Sequence, residues 1–170
     1  MTASYLKSDL VIRPFEVRDS QAVIDLVLGI QNDEFKLGLG LDDQPSLRDI
    51  EANFLQAGGG FWVAVDAAGK LVGSIGLKRK RSDCAVLRSF FVAQDWRGRE
   101  RGCARLLYAA LLGFARAQRI RHILLDTPAV ATQAQRFYRA AGFVQVTAAQ
   151  LPVPHSYPDR DSLLFLLELP

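Results

Sequence analysis

Residues 97–104 carry arginines and glycines at a spacing that suits the binding of a phosphate group. An apolar run typical of a strand, residues 87–92, precedes this stretch, and a helical pattern follows it from Cys103. Main-chain N–H groups at a helix start, together with the helix dipole, attract anions. Gly98 and Gly102 would let the backbone approach a ligand where a Cβ atom would intrude. Positive charge comes from Arg97, Arg99 and Arg101. The pattern predicts an anion-binding loop, called the anion loop here.

The anion loop does not fit a nucleoside triphosphatase, because it lacks the Gly-Lys-Ser/Thr sequence that holds phosphate and magnesium. The two cysteines and two histidines of the chain also give no support for a metal site. Their positions, Cys84, Cys103, His122 and His155, show none of the spacings that metal ligands require. We expect both cysteines to be buried thiols rather than a disulfide. A helix N-terminus could lower the pKa of the Cys103 thiol, but no general base accompanies it.

The composition predicts one globular domain, residues 1–170, with a core at about 10–169. The chain is 49% hydrophobic and 23% charged, which is ordinary for a protein with one core. It has no apolar run near the roughly 20 residues that span a bilayer, and no signal-peptide pattern. We therefore expect a cytoplasmic protein without membrane contact.

The net charge of +3 is concentrated in residues 78–81 and in the arginines that follow residue 97. Residues 78–81 are either a solvated hairpin turn or a surface that attracts an anionic ligand. Nucleic acid is not expected as a partner, because no aromatic residues alternate with the basic ones.

The apolar periodicity predicts a mixed sheet with helices on both faces. Strands are expected at about 10–13, 61–66, 71–77, 84–92, 122–126, 143–147 and 162–169. Helices are expected at about 20–30, 46–57 and 103–118, with a last one that starts at Thr127 or Thr132 and ends before Gly142. Loops are expected at residues 31–45, 78–81 and 151–161.

The anion loop resembles the acyl-coenzyme A pyrophosphate loop of the GNAT N-acetyltransferases, usually written Q/R-x-x-G-x-G/A. The matching residues are Arg99, Gly102 and Ala104, preceded by a similar Trp96-Arg97-Gly98. A second stretch, Ala134-x-x-Phe137-Tyr138-x-x-x-Gly142-Phe143, resembles the family pattern A-x-x-x-Y-x-x-x-G-F. The order of strands and helices is also similar over residues 10–169, and short pieces such as Gly59-x-Phe61-Trp62 resemble an uncharacterised bacterial subgroup.

The resemblance implies the GNAT acyl-CoA N-acyltransferase fold: an α/β protein whose central, mostly antiparallel sheet has splayed middle strands. It also implies acetyl-CoA as a co-substrate, with no metal. Main-chain groups of Phe90, Phe91 and Val92 would pair with the pantetheine arm in the gap between the splayed strands. The pyrophosphate would be held by the residues of the anion loop: Arg97, Gly98, Arg99, Gly102, Cys103 and Ala104.

The resemblance also implies catalytic residues. Tyr138 occupies the position of the tyrosine that protonates the departing thiolate, although its apolar helix face equally suits core packing. The candidates for the general base are Glu34, beside the loop that shapes the acceptor site, and Asp126, at the end of a strand lining the gap. Each carboxylate could instead be solvated or cap a helix. His155 and Tyr157 are expected at the surface, with contact to the acceptor as the alternative.

The implied function is an N-acetyltransferase that moves the acetyl group of acetyl-CoA to a primary amine of a small molecule or peptide, by direct attack in a ternary complex. The alternative is a non-catalytic acyl-CoA-binding sensor or regulatory module. The acceptor would lie against residues 31–45 and 148–161, whose sequence does not identify it. The apolar last strand could support a homodimer.

Overall fold

The computed structural model describes residues 5–7, 9–157 and 161–170, and its eight strands form one mixed sheet in the order β1-β2-β3-β4-β5-β6-β8-β7. The strands are β1 (Tyr5–Lys7), β2 (Leu10–Pro14), β3 (Gly60–Asp66), β4 (Leu71–Arg81), β5 (Cys84–Val92), β6 (His122–Thr127), β7 (Val144–Val146) and β8 (Leu163–Glu168). The α-helices are α1 (Ser20–Gly29), α2 (Cys103–Ala117) and α3 (Thr132–Ala140). Short 3-10 turns lie at Val17–Asp19, Leu41–Asp43, Pro45–Asp49, Gln94–Trp96 and Ala148–Gln150, and π-type turns at Ile30–Glu34 and Glu51–Leu55.

The expected α/β class with a mostly antiparallel sheet is confirmed. Neighbouring strands pair antiparallel throughout, except β5 and β6, which run parallel. A parallel pair requires a long crossover connection, and here the crossover is α2. The last strand lies inside the sheet, between β6 and β7, as its apolar run indicated.

Helices cover both faces of the sheet. The face called the α2–α3 face carries a core cluster that includes Leu87, Ile123 and Phe165 and packs on α2 and α3. Helix α2 contributes Leu107, Leu111 and Ala115, whose four-residue spacing places them on one side. Each fully buried leucine stabilises the fold by about 1.5–3 kcal/mol.

On the opposite face, called the α1 face, two different segments pack against the sheet. Over β3, a cluster that includes Phe61 and Val63 packs beneath α1 and the helical turns at residues 45–55. Over β5 and β6, the side chains of Val86 and Leu124 are covered by residues 151–157, which contribute Leu151 and Val153. These residues are called the 151–157 segment below. Alternate residues of each strand reach alternate faces, as the two-residue period of a strand requires.

Three predictions about individual elements are wrong. Residues 78–81 are not a turn, because β4 continues to Arg81 and pairs with β5 as far as Cys84. Residues 31–45 are not wholly a loop, because a π-type turn carries α1 on to Glu34. The segment from Pro45 to Leu55 is helical but made of 3-10 and π-type turns. No strand is predicted at β1, where the structure has one, and α3 begins at Thr132, the second of its two predicted starts.

Candidate active site

The expected splay lies between β5 and β6. Within the described chain, their parallel pairing runs from Cys84 with His122 to Val86 with Leu124 and then ends. Beyond this point β5 stays paired with β4 up to Val92, and β6 stays paired with β8 up to Thr127. Residues 87–92 and 125–127 therefore border an opening within the sheet, called the β5–β6 gap. Backbone groups on its two sides need partners other than each other, which an extended amide-containing ligand could supply.

A β-bulge shapes the β5 side of this gap. Ser74 pairs with Phe91 and Gly76 with Arg88, so two residues of β5, Ser89 and Phe90, lie opposite one residue of β4. Ser89 has a φ of 54°, a left-handed conformation that costs a residue other than glycine about 1–3 kcal/mol. The buried Ser74 donates a hydrogen bond of 2.6 Å from Oγ to the Ser89 carbonyl and holds the bulge in place.

The bulge changes which face the next side chains reach. Phe90 packs with the α2–α3 face, against the rings of Phe137 and Tyr138, whereas Phe91 packs with the cluster beneath α1. The two phenylalanines predicted to line the coenzyme site therefore lie on opposite sides of the sheet.

The two glycines of the anion loop adopt left-handed backbone conformations. Gly98 and Gly102 have φ values of 99° and 70°, and the Gly102 N–H donates to the Gly98 carbonyl at 3.2 Å. Gly102 is the N-cap of α2 and has no side chain that could bond the first amides of the helix. A Cβ atom on Gly98 would meet no other atom within 4 Å, so the loop borders open space. Helix-start amides that follow an N-cap without a side chain, beside open space, suit an anion.

The arginines of the anion loop have different environments. Arg97 donates from Nη1 and Nη2 to the two carboxylate oxygens of Glu34, at 2.6 and 2.9 Å, and from Nε to the Val92 carbonyl at 2.8 Å. The guanidinium carbon of Arg101 lies 4.9 Å from the centre of the Trp96 ring, a cation–π contact. The side chain of Arg99 is exposed.

Cys103 has a buried side chain, so a ligand of the anion loop could meet its backbone but not its thiol. The side chain is fully buried, and a Cβ atom on Gly73 would lie 3.1 Å from its Sγ. Burial raises the pKa of the thiol to about 12, so the lowered pKa considered for a helix start is wrong. Cys84 is also buried, and both cysteines are free thiols.

Tyr138 lies on α3 with its ring packed among aromatic side chains. The neighbouring rings are Phe90, Phe137, Phe143 and Phe165. Burial raises the pKa of the Tyr138 hydroxyl well above its ordinary value of about 10, and the charges of Asp126 and Tyr108 raise it further. The hydroxyl is therefore protonated at neutral pH and lies within electrostatic range of Asp126.

Asp126 and His155 form a close pair on the β6 side of the gap. Asp126 Oδ1 lies 2.6 Å from His155 Nε2, with the His155 side chain 1% exposed and that of Asp126 18% exposed. The His155 ring stacks on Tyr157, with centroids 5.8 Å apart. His155 Nδ1 is buried and has no hydrogen-bond partner in the described part of the chain. Sequence reasoning placed His155 at the surface, and no local pattern signals a contact across 29 residues.

Among residues 5–7, 9–157 and 161–170, no three histidine, cysteine or acidic side chains lie together as a metal site would require. In the same described ranges, no helix is long and apolar enough to cross a membrane.

The chain is similar to known acetyltransferases. A family model described as Acetyltransferase (GNAT) family matches residues 25–143, which include the anion loop, Asp126 and Tyr138. A solved acetyltransferase from Streptococcus agalactiae 2603 superposes with a TM-score of 0.90 at 33% identity, covering 96% of this chain and 100% of that one. A GNAT-family acetyltransferase from Staphylococcus aureus MU50 gives a TM-score of 0.89 at 30% identity, covering 95% and 99% of the two chains.

Curated relatives match a shorter region. An N-acetylaspartate synthetase from Xenopus tropicalis is 36% identical over 102 residues, which cover 59% of this chain and 36% of that protein. The chain spans between 35% and 56% of the length of the curated relatives it matches.

Proposed function

This chain belongs to the GNAT acetyltransferase family, and we propose that it transfers an acetyl group from acetyl-CoA to a primary amine of a small molecule or peptide. The single observation that carries the proposal is the opening in the sheet next to the anion loop. The pairing of β5 and β6 ends at Val86 and Leu124. The anion loop connects the end of β5 to the first residue of α2. A diphosphate on the loop would place a long, extended arm in the β5–β6 gap.

The residues present fit coenzyme A. The first amides of α2 and the left-handed Gly98 and Gly102 give a backbone surface for the diphosphate, with Arg99 exposed beside it. Main-chain groups of Phe90, Phe91 and Val92 border the gap and would bond the amides of the pantetheine arm. An N–H group there would also polarise the thioester carbonyl.

The reaction forms a bond between the amine nitrogen and the acetyl carbon and breaks the bond between that carbon and sulfur. The nitrogen loses a proton, and the departing thiolate gains one. We assign the second transfer to Tyr138, whose hydroxyl is buried and protonated at neutral pH. A general acid of this kind contributes roughly 10²- to 10⁴-fold in rate.

We assign the first transfer to Asp126 together with His155. An aliphatic amine with a pKa of about 10.4 is mostly protonated at pH 7, so a base must remove its proton. Asp126 is the member of this pair that an amine can reach, because its side chain is 18% exposed and that of His155 is 1% exposed, so the carboxylate would accept the proton and the contact with His155 Nε2 would hold it in place. Glu34 is less suited to this role, because both of its carboxylate oxygens accept hydrogen bonds from Arg97.

The acceptor is a primary amine. A source in bacteria, a cytoplasmic location and a homodimer stay predictions. The same holds for the absence of nucleic-acid and membrane partners.

Two measurements test the proposed function. Calorimetric titration with coenzyme A and with acetyl-CoA should give a saturable heat. Release of free thiol from acetyl-CoA, followed over a panel of primary amines, should identify at least one that is acetylated. Saturable coenzyme binding without turnover of any amine would favour the sensor or regulatory module instead. If neither ligand binds, the assignment of the anion loop is wrong.

A further inference from the structure

Two cations lie side by side on the α1 face of the sheet, next to the β5–β6 gap. Lys78 pairs with Val86, and Gly76 pairs with Arg88, across β4 and β5. Lys78 and Arg88 are therefore diagonal neighbours on one face, roughly 7–8 Å apart at the backbone. Gly76, which lies opposite Arg88 and two residues before Lys78, has no side chain that could separate the two cations. A Cβ atom there would lie 2.7 Å from the Phe61 ring and 2.8 Å from that of Phe54, so the cations border the cluster beneath α1.

Lys78 is half-buried in a positively charged environment. Its Nζ donates to Ser46 Oγ at 3.0 Å, a neutral partner from the helical turns at residues 45–55. Burial lowers the pKa of Lys78, and the positive charges of Lys80 and Arg88 lower it further. Within the described ranges, the charged groups that shift this pKa are thus cations.

Arg88, the second cation of the pair, is also half-buried. Its Nη2 donates to the Ser156 carbonyl, at 3.3 Å, in the 151–157 segment. Its Nε is buried and has no hydrogen-bond partner within the described residues. An N–H group that loses its water without gaining a partner, as this Nε–H does, is costly unless a ligand supplies the acceptor.

The position of Arg88 relates this pair to the reaction. Parallel pairing ends at Val86 and Leu124, and Arg88 and Asp126 are each two residues further along their strands. Both side chains contact the 151–157 segment, through Ser156 and His155 respectively. The two residues therefore face each other across the mouth of the β5–β6 gap on the α1 face, opposite to the face on which α2 packs.

We propose that Lys78 and Arg88 form an anion subsite for the acceptor, and that the acceptor is an amine bearing a carboxylate, as an amino acid does. The proposal rests on the proposed function. A carboxylate can accept two parallel hydrogen bonds from a guanidinium and a third from the ammonium. With its carboxylate on Arg88, the amine of such a molecule would lie toward Asp126 and His155, where its proton is to be removed.

The test compares amines that differ only in this carboxylate. Glycine, L-aspartate and L-phenylalanine are each assayed beside the corresponding α-carboxamide, at saturating acetyl-CoA, with kcat/KM from thiol release. The proteins are wild type, Arg88→Gln, Lys78→Gln and Arg88→Lys. Arg116→Gln removes one charge from the exposed face of α2 and is the matched control. The N-acetyl derivatives of the same compounds are titrated calorimetrically into the protein with coenzyme A, which measures the subsite without turnover.

We expect wild type to favour at least one acid over its carboxamide by roughly 10- to 100-fold, the effect of a charge-assisted hydrogen bond. Arg88→Gln and Lys78→Gln should abolish this preference, Arg88→Lys should retain part of it, and Arg116→Gln should leave it unchanged. The affinity for coenzyme A should stay within about twofold in every variant.

Equal use of acids and carboxamides by wild type would overturn the proposal. So would a loss of coenzyme affinity in Arg88→Gln with the preference intact, because the subsite would then serve the coenzyme. If no amine is acetylated, the proposed function fails, and the calorimetric preference for N-acetyl acids still decides the subsite.

Discussion

Arg97 holds both carboxylate oxygens of Glu34, at 2.6 and 2.9 Å, although 63 residues separate the two in the chain. Arg97 belongs to the anion loop, and Glu34 ends the helical segment that begins with α1. The contact therefore connects the proposed coenzyme side of the site to the residues expected to shape the acceptor side. The Arg97 guanidinium also bonds the Val92 carbonyl, which places all of these groups at the end of β5.

Replacing Glu34 should affect stability slightly and chemistry little. The side chains of Arg97 and Glu34 are 31% and 33% exposed, so a double-mutant cycle of Arg97→Gln and Glu34→Gln should give a coupling of about 0.5–1 kcal/mol. Glu34→Gln should keep kcat within a few-fold of wild type, whereas Asp126→Asn should lower it by at least roughly 100-fold. Steady-state kinetics on both variants checks the assignment. A larger loss of kcat in Glu34→Gln would identify Glu34 as the base.

An added methyl group at Gly98 should weaken coenzyme binding. Gly98 has a φ of 99° and open space at its Cβ position, where the ligand is expected. Gly98→Ala should raise the dissociation constant of coenzyme A by roughly tenfold or more. Gly69→Ala is the matched control, because Gly69 has a φ of 83°, equally open surroundings and a place in the turn between β3 and β4.

Both alanine variants should lose about 1 kcal/mol of stability from backbone strain. Only Gly98→Ala should change the titration with coenzyme A. Equal coenzyme affinities in the two variants would show that the open space at Gly98 is not the ligand site.

Removing the Tyr138 hydroxyl should slow the reaction without loosening the coenzyme. We expect Tyr138→Phe to lower kcat by roughly 100-fold at an unchanged dissociation constant for coenzyme A. Because burial and the Asp126 charge raise the pKa of Tyr138, its ionisation should not cause a decline in activity between pH 7 and pH 9. The pH profile of kcat checks this point.

Tyr108 is the matched control for Tyr138. It is buried, its pKa is raised to about 12 chiefly by burial, and its hydroxyl has no partner in the described chain. Tyr108→Phe should leave kcat unchanged and raise the free energy of unfolding by about 1 kcal/mol, because an unpaired buried hydroxyl is lost. An equal loss of kcat in both variants would argue against a specific role for Tyr138.

Acid should destabilise the protein partly through Asp19. Its buried carboxylate accepts hydrogen bonds of 2.7 and 2.8 Å from Arg13 and one of 2.8 Å from the Glu16 amide. Burial acts to raise the pKa of Asp19, but these bonds and the Arg13 charge outweigh it and leave the pKa below its ordinary value. The stabilisation is therefore present above the unfolded pKa of about 3.9 and is lost as the pH falls through the folded pKa.

Asp19→Asn should cost about 2–4 kcal/mol at pH 7, because it leaves Arg13 without its partner. Denaturant unfolding of wild type and variant across pH 2–7 measures the difference, which should shrink toward acidic pH. A difference independent of pH would mean that hydrogen bonding rather than charge carries the contribution.

The fold and the position of a glycine-containing loop before α2 could be predicted from sequence because their signals are local. Glycines at residues 98 and 102 and the apolar alternation of the strands do not depend on distant partners. The contact of Asp126 with His155 and that of Arg97 with Glu34 could not be predicted, since each joins segments that meet only through the fold. Residues 78–81 misled for a related reason: their charges indicated a turn, but pairing with β5 extends the strand.

The bulge at Ser89 has a consequence for how this chain can vary. One unmatched residue sets which side of the sheet each following residue of β5 reaches. Pairing β5 with β4 without the bulge, with every residue kept, would send Phe90 to the α1 face and Phe91 to the α2–α3 face, and it would also turn the backbone groups beside the gap. An insertion should therefore be tolerated in the loops around the site but not between Leu87 and Val92, where one added residue would exchange the two faces that the rest of the strand presents.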